Sequence, residues 1–435
     1  MRVLKEKGNI FINKLNIILL NIFCVILFGN IHFGILTFFH ISLIASASSF
    51  FIFRGSLQIR LDEITKSLFI FLFFIGLSYV LNVVYYAKVS EVYYANTGES
   101  PSHLYIKIAF SGFFIILSSI LAYQWGLWIS NSFLYVKFFC LILFYLCLVN
   151  AFVDVGNWFW TTGGVIGRYN FDPILSGSPG SSITLSSIGI IIGVAKYEAE
   201  KANRQILNLI FISVLLLSIL IVVTRLSQVG VVIMFLVYLK ISRAKISIRV
   251  FSFFLILSFI VFILLYMFSG AGSFEIYGTV NSLDSTDLAV RFSLIQSSID
   301  IFLSHTFIGV GYGMFPGHNI NPVVFNSIPV YPSSAHNGLA SILAEQGLTG
   351  LFLISLITYN VIAHMRKSLN KNRSHPAIKY LAAISAPIFV LISFFFLSNF
   401  ILFGPPSESS SIYFSFISWI AIGVVVGFKG SINFK

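Results

Sequence analysis

Long apolar stretches, separated by short polar connections, run along most of the chain. A helix of about 20 residues crosses the hydrocarbon core of a bilayer, and apolar windows near that length predict twelve spans. The predicted spans are residues 15–33, 35–53, 67–87, 105–123, 133–152, 181–195, 206–223, 226–240, 250–268, 338–362, 380–403 and 411–428. The pattern therefore predicts an all-α polytopic membrane protein of about twelve transmembrane helices.

Composition agrees with this interpretation. Of the 435 residues, 57% are apolar or aromatic and only 10% are charged, against roughly 25% charged residues in soluble domains. A soluble enzyme, a fibrous protein and a disordered chain are therefore excluded. The three cysteines, Cys24, Cys140 and Cys147, lie within apolar stretches and are interpreted as buried apolar residues, not as disulfide or zinc ligands.

The distribution of charge predicts the orientation. The net charge of +12 would suggest nucleic acid as a partner for a soluble chain, but here the basic residues follow the predicted loops and no nucleic acid is expected. With the N-terminus in the cytoplasm, only five of the 27 Lys and Arg residues lie on the outer side, and they are Lys88, Lys107, Arg168, Arg225 and Arg291. This bias predicts that both termini are cytoplasmic.

Two predicted outer loops are long, residues 153–180 and residues 269–337. They divide the chain into spans 1 to 9 with the first loop (1–268), an outer subdomain (269–337), and spans 10 to 12 with the cytoplasmic C-terminus (338–435). Within the second loop, a helical repeat of apolar residues predicts an amphipathic helix over Leu288–Leu303, with Asp287 as N-cap, on the membrane surface or capping the bundle. The repeat consists of Leu288, Phe292, Ile295, Ile299 and Phe302.

The outer arginines are the first candidates for chemistry. Arg225, in the turn between spans 7 and 8, is either an anion site facing the bundle or an anchor that reaches lipid phosphates. Arg291, on the amphipathic helix, either reaches a diphosphate or forms a helix pair with Asp287. Arg168 stands in a glycine-rich part of the first outer loop, where small residues would let a sugar approach closely, and an ordinary surface arginine is the alternative.

His336, at the predicted start of span 10, is the most specific single candidate for a catalytic residue. A neutral imidazole there could accept a proton from a sugar hydroxyl, although a structural role is the alternative. Glu345, nine residues further into the span, is interpreted as a structural hydrogen-bonding group between helices. His305, His318 and His336 are too far apart in sequence to form a compact metal motif, so no metal site and no cofactor are predicted.

Three segments resemble the O-antigen ligase and O-antigen polymerase superfamily of bacterial inner-membrane glycosyltransferases. The first is Thr224-Arg225 at a span end, similar to the family's Ser/Thr-Arg. The second runs from Arg291-Phe292-Ser293-Leu294 to residues 308–315 and is similar to the family's Arg-led helix ending in Gly-x-Gly-x-x-Phe. The third, the most specific, is His336-Asn337 followed by Glu-x-Gly-x-x-Gly at residues 345–350.

The resemblance implies a substrate and a location. The donor would be a glycan carried on undecaprenyl diphosphate, at the periplasmic face of the inner membrane, with membrane lipid, a glycan acceptor and a chain-length regulator protein as further partners. Arg168, Arg225 and Arg291, with Asn337 and Tyr312, would bind substrate, and His336, Arg225 and Arg291 would be catalytic. Transfer would be metal-independent, with inversion at the anomeric carbon.

Three functions stay open at this point. A polymerase would join lipid-linked repeat units to each other. The resemblance favours it, because the AT-rich coding implied by 48 Phe residues is associated in this superfamily with the gene clusters that hold polymerases. A ligase would instead transfer the glycan to lipid A-core. A flippase for lipid-linked oligosaccharide is expected to carry ionisable groups near the middle of the membrane, where this sequence has few.

Overall fold

A computed structural model describes most of the chain as helices. The described residues are 32–33, 36–37, 59–97, 101–162, 179–199, 202–221, 225–243, 285–318, 323–325, 328–330, 337–393 and 409–429. The helices are α1 (Glu63–Thr97), α2 (Pro101–Ile129), α3 (Phe133–Thr162), α4 (Pro179–Ala199), α5 (Ala202–Ile221), α6 (Arg225–Ser242), α7 (Ser285–Ser304), α8 (Phe315–His318), α9 (Gly338–Lys371), α10 (Ile378–Ser393) and α11 (Ser409–Gly427).

The protein is a helical membrane protein. Within the described ranges, four helices are long and apolar enough to cross a bilayer: Glu63–Asn82 of α1, Tyr105–Ile129 of α2, Phe133–Thr161 of α3, and α9. Helices α4, α5, α6, α10 and α11 overlap predicted spans as well. Predicted span 9 lies outside the described residues, as do nearly all of spans 1 and 2, so the count of twelve stays a prediction.

Two short hairpins accompany the helices. Strands β1 (His32–Phe33) and β2 (Leu36–Thr37) pair antiparallel, so the chain is extended at the junction of predicted spans 1 and 2, which corrects the helical boundary at Phe33. Strands β3 (Val323–Phe325) and β4 (Ile328–Val330) pair antiparallel in the proline-rich stretch, with Val323 opposite Val330. The sequence predicted only an extended, turn-rich segment there.

Both ends of the first predicted outer loop are helical. Helix α3 continues to Thr162 and α4 begins at Pro179, and the predicted membrane boundaries 153 and 180 stay a prediction. Residues 153–162 contain no helix-breaking proline, and Asn150 donates to Asp154 Oδ2 at 2.8 Å, one turn further along α3. This i, i+4 hydrogen bond satisfies part of a carboxylate that is fully buried in the helix.

Glycines allow a close contact between two helices. At the crossing of α2 and α11, a Cβ added to Gly126 would lie 2.7 Å from Gly423 Cα, and one added to Gly423 would collide with backbone of α2. Gly423 and Gly427 form a G-x-x-x-G pair, and such spacing lets two backbones approach closely within a membrane. Trp125 and Phe416 pack edge to face across the same interface.

Helices α1 and α9 lie antiparallel and define two ends of the bundle. At one end, His364 Nε2 lies 3.7 Å from Glu63 Oε2, and Asn360 donates to Ser67 at 3.2 Å. Basic residues collect at this end, and they are Arg60, Lys66, Arg366, Lys367, Lys371 and Arg373. We call it the basic end, and the opposite end of the bundle holds the candidate site.

Helix α7 confirms the predicted helix over Leu288–Leu303, although it begins at Ser285, so Asp287 lies in the first turn and is not the N-cap. Its side chains fall into three sectors. The protein-facing sector is buried and consists of Leu294, Ser297, Ser298 and Ile301; a polar exposed sector consists of Ser293, Gln296, Asp300 and Ser304; an apolar outward sector consists of Phe292, Ile295, Ile299, Phe302 and Leu303. Most of the predicted apolar face thus points away from the protein.

Candidate functional site

Helix α9 is broken near its start. Gly347 has φ 63° and ψ −162°, which are not helical values, so residues 338–346 and 348–371 form two helical segments. The break leaves backbone groups on both sides without partners inside the helix. Residues 348–365 lie between the break and Arg366, the first arginine of α9 at the basic end. They extend about 27 Å, which is close to the thickness of the hydrocarbon core. The break therefore lies near the edge of the membrane opposite the basic end.

A glycine-rich loop, residues 305–315, fills this break. On the first side, Val310 N–H donates to Ala344 O at 3.1 Å and Gly311 N–H donates to Glu345 O at 2.8 Å. On the second side, Leu348 N–H donates to Thr306 O at 2.9 Å, and the next residue bonds Phe307 O. The loop thus supplies the donors and acceptors that a continuous helix would have supplied.

Two glycines make this contact sterically feasible. Gly309 has φ +69°, and a Cβ there would collide with the backbone of Glu345. A Cβ on Gly347 would lie 2.6 Å from the carbonyl group of Phe307. Positive φ and the absence of a side chain are both needed at these positions. The two glycine motifs found in the sequence are therefore two halves of one structural unit.

The buried side chain of Glu345 accepts hydrogen bonds from the glycine-rich loop. Its Oε2 accepts from Gly313 N–H at 2.9 Å and its Oε1 accepts from Phe315 N–H at 3.4 Å. The side chain is 6% exposed, so the hydrogen bonds from these backbone donors offset the free-energy cost of burying its carboxyl group. The structural role predicted for Glu345 is correct, but its partners are backbone groups of the loop and not another helix.

Helix α1 holds the loop from the other side. Tyr79 Oη donates to Tyr312 O at 2.8 Å, and Asn82 Nδ2 donates to Gly309 O at 3.2 Å. Tyr105 of α2 in turn donates to the carbonyl of Tyr79. Sequence reasoning missed Tyr79 and Asn82, because both occur within an apolar stretch where the only signal was a polar group at membrane depth.

Tyr312, which was predicted to bind substrate, is enclosed in the structure. Its side chain is 1% exposed and packs toward α2, where a Cβ on Gly112 would lie 2.9 Å from the Tyr312 ring. Burial raises the pKa of Tyr312 well above its usual value of 10, and the nearby Glu345 adds to that shift. The enclosed phenol is part of the support for the loop, and its contact with substrate stays a prediction.

Asn337 begins helix α9 as its N-cap. Its Oδ1 accepts from Ala340 N–H at 3.0 Å, which satisfies one of the free donors of the first turn. The side chain is half-buried, so capping and the predicted substrate contact are compatible. His336 directly precedes it and lies outside the described residues, as does Arg168.

The two remaining arginines are placed by their helices alone. Arg225 is the first residue of α6, four residues after α5 ends at Ile221, which agrees with the predicted turn between spans 7 and 8. Arg291 lies in the second turn of α7. At about 100° per residue, its Cα falls between the protein-facing and the apolar outward sectors. Helix α7 packs against α9, so Arg291 belongs to the element next to the broken helix.

His305 and His318 flank the loop. Their rings lie 6.0 Å apart, edge to face, and His318 Nδ1 lies 3.0 Å from Met314 O. Burial lowers the pKa of His318 below its usual value of 6.5, and the neighbouring His305 adds to this. In the part of the chain that the structure describes, no three His, Cys, Asp or Glu side chains lie close enough to hold a metal ion.

Comparison with known families identifies one match. Residues 210–355 match the family model described as O-antigen ligase, and the match extends from α5 to the second segment of α9. It includes Arg225, Arg291, His336 and Glu345, and it confirms the resemblance stated from the sequence. No curated protein matches the chain.

Proposed function

We propose, from the premise that residues 210–355 form an O-antigen ligase domain, that the protein is a periplasmic-face glycosyltransferase of the bacterial inner membrane. Its donor is a glycan on undecaprenyl diphosphate. It polymerises lipid-linked repeat units into O-antigen or a related surface polysaccharide. The observation that carries this proposal is the broken helix α9, because its filled break fixes α7, which bears Arg291, against the segment that begins directly after His336.

The charge distribution supports a periplasmic site. Glu63 of α1 lies at the basic end, whereas Asn82 of the same helix contacts the glycine-rich loop. The 19 residues between them extend about 29 Å, close to one hydrocarbon thickness. Basic residues favour the cytoplasmic side, so the loop belongs at the opposite, periplasmic surface, where lipid-linked glycans are the available donors.

The arginines suit a diphosphate leaving group. In the proposed reaction, the acceptor hydroxyl oxygen attacks the anomeric carbon while the bond from that carbon to the diphosphate oxygen breaks. Guanidinium groups of Arg225 and Arg291, with Arg168 as a third contact, hold the diphosphate and stabilise the charge it gains. Undecaprenyl diphosphate leaves, and direct displacement inverts the anomeric carbon.

His336 accepts the proton of the acceptor hydroxyl in this scheme. It directly precedes the N-cap of α9, and the positive end of a helix disfavours an imidazolium ion. The neutral imidazole is therefore available as a base near neutral pH. Asn337, the N-cap of α9, would orient the acceptor beside it.

The gel pattern of lipopolysaccharide from a deletion strain tests the proposal. Core carrying a single repeat unit is the result expected for loss of a polymerase. Core without any repeat, together with accumulated lipid-linked polymer, would instead assign the protein as a ligase. An unchanged ladder would refute both, and unextended repeat units trapped on the cytoplasmic side would indicate a flippase.

A further inference from the structure

Two imidazole rings lie side by side where the glycine-rich loop begins and where α8 ends. His305 is the first residue of the loop and His318 is the last residue of α8. Their ring centroids lie 6.0 Å apart, with an interplanar angle of 76°. The two residues are 13 positions apart in the sequence, so the fold of the loop brings them together. Both side chains are half-buried and therefore partly open to solvent.

The hydrogen bond of His318 determines which of its ring nitrogens carries a lone pair. Its Nδ1 lies 3.0 Å from Met314 O, and a carbonyl oxygen can only accept a hydrogen bond. In the neutral imidazole the proton is therefore on Nδ1, and Nε2 carries the lone pair. Burial lowers the pKa of His318 below 6.5, so the neutral form dominates at pH 7, and this is the form that binds metal ions.

The hydrogen bonds of Ser304 lead to the same tautomer for neutral His305. The single hydroxyl hydrogen of Ser304 is donated to the backbone of α7, with Ile301 O at 2.9 Å and Asp300 O at 3.1 Å as acceptors. The Ser304 oxygen is then available to accept from Nδ1–H of His305 at 3.1 Å. The lone pair of His305 is therefore on Nε2. A δ nitrogen that donates to the protein while the ε nitrogen binds is the usual arrangement of a metal-binding histidine.

We propose that His305 and His318 bind a divalent transition-metal ion through their Nε2 atoms. An ion at about 2.0–2.1 Å from two imidazole nitrogens holds the ring centroids roughly 5–6 Å apart, so the observed separation needs only a small side-chain movement. Nitrogen ligands favour Zn²⁺, Ni²⁺ or Cu²⁺ over Mg²⁺ and Ca²⁺. With two protein ligands, water completes the coordination of the ion.

The bound ion cross-links the start of the glycine-rich loop to the end of α8. Residues 305–318 then form a closed ring, and this is the segment whose backbone groups fill the break in α9. The segment cannot open at the two histidines until the ion dissociates, so the ion stabilises the closed loop. The ion takes no part in glycan transfer, and the inference goes beyond the proposed function without depending on it.

Hydrogen exchange of the purified protein, followed by mass spectrometry, tests the site. The protein carries a tag without histidine, is treated with EDTA, and is then titrated with Zn²⁺ or with Mg²⁺ as the control ion. Peptides covering residues 305–318 are compared in the wild type, in His305→Ala and in His364→Ala. His364 is the matched control, because its Nδ1 also lies near the carbonyl oxygen four residues earlier, at 2.8 Å from Asn360 O, but it lies at the basic end of α9.

We expect Zn²⁺ at about 100 times its titration midpoint to slow exchange in residues 305–318 about 100-fold in the wild type and in His364→Ala. Mg²⁺ should have no effect, and His305→Ala should not respond to Zn²⁺. Two imidazoles that merely pack together predict no response in any of the proteins. An unchanged rate in the wild type, or equal slowing in His305→Ala, would overturn the site. None of these measurements requires donor, acceptor or transfer.

Two further measurements test the ligands themselves. Ser304→Ala keeps both imidazoles but removes the acceptor of His305 Nδ1–H, and it should raise the Zn²⁺ midpoint about tenfold or more. An unchanged midpoint would overturn the assignment of Nε2 as the ligand of His305. The electron paramagnetic resonance spectrum of bound Cu²⁺ should show two imidazole nitrogens in the wild type. This spectrum needs no variant, and the absence of nitrogen ligands would overturn the site by itself.

Discussion

Removal of the Glu345 carboxyl group should open the glycine-rich loop. In Glu345→Ala, the backbone N–H groups of Gly313 and Phe315 lose their acceptors in a region where water does not replace them. A buried donor left without a partner costs about 1–3 kcal/mol. The contact to Phe315 is long at 3.4 Å and counts for less, so we expect a total of about 2–5 kcal/mol.

Hydrogen exchange followed by mass spectrometry measures this effect. A local destabilisation of about 2 kcal/mol or more accelerates exchange by a factor of about 30 or more, and we expect this for peptides covering residues 309–315. Polysaccharide chain length on a gel should fall in the same variant, because α7 and the start of α9 lose their fixed spacing. Glu345→Gln retains one acceptor oxygen and should show a smaller effect on both.

A matched control lies on the same helix. Asn360→Ala removes a single hydrogen bond to Ser67 near the basic end of α9, about 20 Å along the helix from Glu345. It should leave exchange in residues 309–315 and chain length unchanged. If Glu345→Ala behaves like this control, the carboxyl group does not hold the loop and the reasoning is refuted.

Three further predictions concern the same unit. Gly309→Ala and Gly347→Ala should each lower the free energy of unfolding by roughly 2 kcal/mol or more, seen as a lower yield of folded protein. Gly230→Ala is the control, because nothing lies within 4 Å of the added Cβ, and it should be neutral or stabilising. Equal yields of all three variants would contradict the close approach. Tyr79→Phe should cost about 1 kcal/mol in thermal unfolding, and an unchanged midpoint would remove that hydrogen bond from the account. Burial lowers the pKa of His318 in the folded state below 6.5, so the unfolded state binds the proton first on acidification. The free energy of unfolding should therefore fall as the pH drops below 6.5 and stay level above it. His318→Gln should abolish that slope.

The helices could be predicted because their cause is local. Apolar stretches of membrane length must satisfy their backbone groups internally, which favours helices wherever such a stretch occurs. The helix over Leu288–Leu303 was visible for a similar reason, in its repeat of apolar positions. The direction of its apolar sector was not visible, because lipid and protein interior both accept apolar side chains.

The break in α9 could not be predicted from the pattern. Residues 338–362 are mostly apolar, and a glycine within a helix is common enough to pass unnoticed. Only the pairing of Gly347 with residues 306–307, about 40 positions earlier, makes the broken geometry favourable. The same long-range contact explains why Tyr79 and Asn82 were missed, since their partners on the loop are more than 200 residues away.

Transfer by the purified protein is the most direct test of the central claim. The protein in lipid nanodiscs is given only the lipid-linked repeat unit, without nucleotide sugar, and products are separated by chain length. We predict polymer together with free undecaprenyl diphosphate from the wild type, and neither from His336→Ala or Arg291→Ala that remains folded in the membrane. Equal product from the wild type and these two variants would contradict the account.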